Sequence, residues 1–508
     1  MLLGGIPLVT VRKTRLIRVS RISPYRNCKV GGPGTNFVNT AVEPWLAVSP
    51  VRAEEGKPKM IGVWQQDRWS NGGAHGLVAA FSRDGGKTWR RTTLPFSKCA
   101  VPRLKCKRAS DPFISIGPDG KAYAVALSVN IGKNGKQVAL SAITAATSSD
   151  GGKTWKNFRV IQSDKGPKII NDKESVTADP NKPGVAYVVW DRVTQTSGPA
   201  FFSMTTDGGQ TWSKPRIIFH PGKRNQTVGN QIIIDPRSGI MYNFFNWILG
   251  ATTKTPRFFI TVQKSQNGGK TWSRPKIIAP FDSVEVRDPV TGKVIRGGGD
   301  AVPEVAINQR TGELFVVWQS AKFSGGKFDE IAISRSVDRG RTWSTPVRVN
   351  PALGRAAFTP MVRVNQNGVV GVSYYMIHRN HHNKNRLPVD YWFTYSTNDG
   401  RTFKPPLHIA GPFNMLRAPE TKPPFVPGLF IGDYQGMATF QNDFHLFFPK
   451  VNFPSERDPV DVYTTVVGVN KSRIVAGTKS SMKSKDSSPA SSHLAPRWVK
   501  TSKPALFV

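Results

Sequence analysis

Short apolar runs of strand length alternate with turn signals along most of this chain. Seven times the pattern opens with an apolar run, breaks at a turn and resumes in a second run that often ends in an aromatic residue. These units are Glu43–Trp64, Ser110–Leu127, Glu174–Trp190, Asn230–Phe245, Pro303–Trp318, Thr359–Tyr375 and Gly432–Phe448. Their connecting turns read Asp-Pro, Pro-Asp-Gly, Arg-Thr-Gly and Asn-Gly, all strong chain-reversal signals. In six units a third run, a fixed motif and a fourth run follow. The seventh has a third candidate at Val460–Val469 and lacks the motif and the fourth strand.

The motif reads Ser82-x-Asp84-x-Gly86-x-Thr88-Trp89 in its first copy. It recurs from Ser148 to Trp155, Thr205 to Trp212, Ser265 to Trp272, Ser336 to Trp343 and Ser396 to Phe403. A spacing of about 60 residues marks a repeat architecture. The Asp or Asn bonds backbone groups just ahead of it, and the glycines supply positive φ for a tight turn. Thr and Trp then start a strand, with the indole as a peg between layers. This reading gives the leading hydroxyl no special role.

The motif resembles the Asp-box (BNR) repeat of the sialidase-like β-propellers. The resemblance implies an all-β chain, a β-propeller of four-stranded blades. The unit count predicts seven blades; six, the usual number in sialidases, is the alternative. Arg15–Ile22 alternates in the strand manner and is expected to pair into the last blade, closing the ring and removing an exposed edge. The domain reading is a basic segment at 1–14, the propeller over 15–470, and a basic Ser/Lys/Pro-rich tail at 471–508, expected to be disordered.

Charge and cysteines modify this picture. The 508 residues carry 71 Lys+Arg against 33 Asp+Glu, a formal net charge of +38. That excess points to an acidic glycan or another polyanion as partner. No nucleic-acid-binding module is visible, so specific nucleic-acid recognition is not expected. Cys28, Cys99 and Cys106 have no metal-ligand spacing; Cys99 with Cys106, or Cys28 with either, could bridge. The apolar start precedes its basic residues, the wrong order for a secretory signal, and no segment is long enough to span a membrane. The resemblance implies an extracellular or cell-surface address. The chain is read as a monomer without cofactor or metal; His378, His381 and His382 are read as a solvated loop.

The motif turns mark one end of each unit, so chemistry is expected at the other end, where first strands begin and second strands finish. First-strand starts give Glu43, Arg108, Asp111, Glu174, Asp300, Glu304, Asp433 and Tyr434. Second-strand ends give Asp67-Arg68-Trp69, Trp190-Asp191-Arg192 and Trp247. Aromatic faces suit sugar rings, and arginine suits carboxylates.

By the sialidase resemblance, Tyr434 is the candidate nucleophile, activated by Glu174 or Glu304, with Asp67 or Asp111 as acid/base. Arg68, Arg108 and Arg192 are candidate carboxylate clamps; Asp191, Trp69, Trp190, Trp247 and Asp433 complete the candidate binding set. The implied function is an exo-acting, sialidase-like glycoside hydrolase on acidic glycans. The alternative is a non-catalytic propeller that binds glycan, cell wall or a protein partner through the same face.

Overall fold

The structure is a computed structural model that describes residues 8–52, 56–296, 302–378, 381–454 and 456–472. Asp300 and all but the first two residues of the 471–508 tail lie outside these. Among the described residues the chain is all-β apart from two single-turn 3-10 helices, Lys322–Ser324 and Met415–Arg417. No helix among the described residues is long and apolar enough to cross a membrane.

The strands form seven sheets among the described residues. Four are four-stranded, antiparallel and sequential, opening with Ile169–Ala178, Gln226–Ile234, Glu304–Ile307 and Ala357–Val364. The first two units run together as one eight-stranded sheet, joined where Ala74 pairs with Ala109. A three-stranded sheet joins Ile295–Arg296 in parallel to Gly428–Phe430, with Glu420–Thr421 beside it.

These pairings correct the expected closed propeller of seven separate four-stranded blades, and equally the six-bladed alternative. Every sheet is open, and none closes into a ring. Leu8–Lys13 lies along Val460–Ser472, and Ile17 pairs with Thr464. The N-terminal segment therefore extends one edge of the last, five-stranded sheet and closes nothing. The physical reason is that continuous hydrogen-bond ladders run laterally within each sheet, whereas beyond the Ala74–Ala109 junction successive units meet by side-chain packing with scattered hydrogen bonds such as Ser175 Oγ to Asn230 O. Asn36–Val48 packs on Arg108–Ile116 and on Gly436–Phe440, and Arg108–Ile116 packs on Ile169–Ala178.

Burial explains the apolar runs. Ala74–Ser82 is buried along its whole length, because the second unit covers one of its faces and the last sheet the other. The outermost strand Lys156–Lys165 is largely exposed and reads as polar. The motif loops share one hydrogen-bond pattern. In the first, Thr88 N donates to Asp84 Oδ1 at 3.0 Å and Thr88 Oγ1 to Asp84 Oδ2 at 2.6 Å. The leading hydroxyl, given no role from sequence, is part of that pattern. Ser82 Oγ donates to Asp84 Oδ1 at 2.8 Å and accepts from Gly86 N at 2.9 Å. The motif tryptophans pack between units: Trp272 meets Phe202 edge-on, and Trp343 meets Phe244.

Cys28 and Cys99 form the disulfide, spanning 71 residues, and Cys106 is free. Closing so long a loop restricts the unfolded chain. Serine at both positions is expected to cost about 2–5 kcal/mol, read as a fall in melting temperature; an unchanged melting temperature would mean the bridge constrains nothing. His381, expected in solvent, is buried and lies 2.6 Å from Asp288 Oδ1.

Candidate functional site

One irregularity recurs in the first strands. Pairing with the second strand slips between Val42 and Trp45, Ser110 and Phe113, Asp172 and Ser175, Val228 and Gln231, and Phe358 and Met361. At each slip one residue takes positive φ: Glu43 (50°), Asp111 (48°), Lys173 (50°), Gly229 (69°) and Thr359 (46°). Such bulges re-aim side chains. A non-glycine residue held there costs about 1–3 kcal/mol, a strain that concentrates at functional sites.

Three of these bulged residues, with Asp433, meet at one cleft. Its cavity volume is about 40 Å³, and it is lined by Glu43, Arg68, Asp111, Asp172, Lys173, Arg296, Phe425, Phe430 and Asp433, with apolar wall from Val129, Ile131 and Val138. Lys173 is the hub. Its ammonium binds Asp433 and lies 3.4 Å from Asp111 and 3.9 Å from Glu43. Arg296 approaches Asp433 at 3.9 Å. Arg68 and Arg296 lie over the Phe430 ring, 4.4 and 4.9 Å from its centroid.

The carboxyls around Lys173 are driven in opposite directions. Burial raises Asp433, but Lys173, Arg296 and Arg68 outweigh it and hold the group below the usual carboxylate range. Burial, helped by the charge of Asp111, pushes Glu43 well above its ordinary value. Burial raises Asp172 to about 6, with Lys173 opposing and Asp111 and Asp433 reinforcing. Lys173 is lowered by burial, yet Asp111, Asp433 and Glu43 more than reverse that.

Of the residues singled out from sequence, Glu43, Arg68, Asp111 and Asp433 line the cleft together. Tyr434 does not: it is 2% exposed, and its hydroxyl donates to Pro112 O at 3.2 Å. Burial pushes its phenol well above its ordinary value. Asp67 is buried behind the cleft, accepting from Ser23 Oγ at 2.7 Å and Asn39 N at 2.8 Å, so it fastens the N-terminal loop.

Arg108 donates to Asn71 Oδ1, Gly72 O and Pro33 O and stacks on Trp69 at 4.1 Å, bracing the wall. Arg192 is engaged by Asp164 in two bonds of 2.8 and 2.7 Å. Asp191 accepts from Thr227, Gly229 and Asn230 and so ties its sheet to the next. Trp190 donates to Asn171 Oδ1 at 3.0 Å, and Trp247 stands edge-on to Phe219. Glu304 is buried beside Val305 at 2% exposure, and burial raises its carboxyl to about 8 against the pull of Arg363.

Glu174 is fully buried, and neither carboxyl oxygen has a hydrogen-bond partner among the described residues. Burial, then the charge of Asp111, pushes it well above its ordinary value. A raised folded-state pKa gives stability that is present below the unfolded value, about 4.3, and is lost as pH rises through the folded value. Glu174→Gln, with no proton to lose, is expected to melt at a higher temperature than wild type, by a margin that grows with pH above about 4.3. Parallel thermal melts from pH 4 to 9 check this; a constant or negative margin would contradict it.

Sequence reasoning missed Asp172, Lys173, Arg296, Phe425 and Phe430 as site residues. A signal existed for Lys173: aligning the first strands at their bulges stacks Glu43, Asp111 and Lys173. None existed for the other side of the cleft, because Arg296, Phe425 and Phe430 come from two long connections that meet through the Ile295–Leu429 pairing.

No family model matches the chain, and no curated protein does. Among solved structures, a Dyadobacter fermentans protein of unknown function is similar at 14% identity, covering 91% of this chain and 99% of that one, with a TM-score of 0.45. A Penicillium chrysogenum alpha-L-arabinanase complexed with arabinobiose is similar at 11% identity over 89% and 98% of the two chains, TM-score 0.45. The NanB sialidase of Streptococcus pneumoniae is similar at 15% identity over 68% and 66%, TM-score 0.42. These are distant likenesses, two of them to carbohydrate-active proteins, and at such scores they add nothing to the assignment of an activity.

Proposed function

We propose that the Lys173 cleft is the active site of a glycoside hydrolase acting on acidic glycans through paired carboxylates. The observation that carries this reading is the split between Asp172, raised to about 6, and Asp433, held down, in one cleft. Titratable groups pushed apart by their surroundings divide into acid and base. Asp172 is the proton donor to the leaving oxygen. Asp433 is the ionised partner that steadies positive charge on the sugar ring and accepts a proton from water. Phe425 offers an apolar face to the ring, and Arg68 and Arg296, stacked on Phe430, suit a sugar carboxylate. The Cys28–Cys99 bridge supports an oxidising, extracellular setting.

Release of aryl alcohol from a panel of sialosides, uronides and arabinofuranosides tests the reading. Turnover of at least one acidic member, retained within a few-fold by Tyr434→Phe, is expected. Turnover abolished by Tyr434→Phe would return the nucleophile to the tyrosine. Glycan binding with no turnover of any member would leave a binding protein in place of an enzyme.

A further inference from the structure

Six lysines border one side of the cleft. Ile131 and Val138, which line it, are the base of the hairpin joining Ala122–Ile131 to Val138–Ser148, and the hairpin tip carries Lys133 and Lys136. Lys105 and Lys107 run beside this hairpin: Lys107 N donates to Asn130 Oδ1 and Asn130 Nδ2 to Lys105 O. Lys165 and Lys168 flank its other side, with Lys165 paired to Leu140 and Gly166 N donating to Ala139 O. Ile170, just beyond Lys168, lines the cleft again.

All six lysines are exposed, and none is paired with a carboxylate among the described residues. Asp164, the acidic residue of this strip, is engaged by Arg192. Flexible ammonium groups on one edge recognise repeated negative charge without demanding one geometry. The segments 98–107, 131–138 and 165–170 contain no aromatic residue. Single-stranded nucleic acid is held by stacking on aromatic rings as well as by charge, so this strip is better matched to a chain of anionic sugars.

We infer that the strip is an extended subsite for an anionic polysaccharide, uronate- or sulfate-bearing, whose chain leaves the cleft across the 132–137 hairpin. This rests on the hydrolase reading above and names its substrate as a polymer charged along its length. The test is binding of the full chain to polygalacturonate, dextran sulfate, uncharged dextran and single-stranded DNA, at several salt concentrations. A variant carrying Lys133→Gln, Lys136→Gln, Lys165→Gln and Lys168→Gln is compared with wild type.

The expected result is binding of an anionic polysaccharide that weakens with salt, is at least about tenfold weaker in the variant, and is absent for dextran. Equal binding by a variant that melts like wild type would overturn the inference, as would DNA binding as tightly as either polysaccharide. Asp172→Asn separates the two readings: it should bind the polymer like wild type and cleave it at least about a hundredfold more slowly. Cleavage by Asp172→Asn at the wild-type rate would sink the acid assignment and leave the strip standing.

Discussion

Replacing Lys173 with methionine is expected to destabilise the protein by about 3–5 kcal/mol, the usual cost of leaving buried charge without its partner. Lys173 is 14% exposed at its side chain, and the three carboxylates it faces are 7% exposed or less. Without the ammonium, Glu43, Asp111 and Asp433 face one another across little water. The bulged backbone at Glu43 and Asp111 also stores strain that the ion cluster offsets.

The pH dependence has a definite sign. Asp433 has a depressed folded-state pKa, so its contribution is present above the unfolded value of about 3.9 and is lost as pH falls through the folded value. Lys173 has a raised one, so its contribution is present below about 10.4 and is lost as pH rises through the folded value. Wild type therefore keeps the full contribution of this pair between roughly pH 4 and 10. The variant's deficit should be largest near neutrality and shrink towards pH 4, where its carboxyls take up protons. Urea unfolding at pH 4, 5.5 and 7 measures this; equal stability of the two proteins at pH 7 would show that the cluster is not held by the lysine.

Asp172→Asn is expected to lower kcat/KM on any acidic glycoside that the panel shows to be turned over by about 10²–10⁴-fold, the range for losing a positioned acid. In wild type kcat/KM should fall as pH rises through about 6, where Asp172 gives up its proton. The variant should lack that limb in its residual rate. Loss of folding would not explain the result. A carboxyl with a raised pKa costs stability at neutral pH, so the amide should leave the melting temperature at or above that of wild type. Full activity in the variant would remove Asp172 from the chemistry.

The side of the cleft built on first strands was half legible. Asp111 and Asp433 stand out as carboxylates at strand starts, and Arg68 ends a second strand. Lys173 did not stand out, because a lysine in a chain with so many basic residues carries no signal until its bulge aligns it with Glu43 and Asp111. Arg192 and Asp191 looked equally functional, and each is engaged in bonds that hold loops and sheets together. Tyr434 sits beside Asp433 in sequence, yet its hydroxyl reaches Pro112 O while Asp433 reaches Lys173.

What the sequence by itself determined is local: antiparallel strands in repeating units, motif turns closed by Asp or Asn and glycine, and an apolar first half to each unit. These follow from strand periodicity and turn chemistry within a few residues. The tertiary structure alone decided the rest. It decided that the sheets stay open, that two units merge through Ala74 and Ala109, and that Cys28 bridges Cys99. It also decided that Lys173 meets Asp433 across 260 residues. The reason is that burial and charge pairing depend on which distant segments share a dry volume, and no local pattern records that.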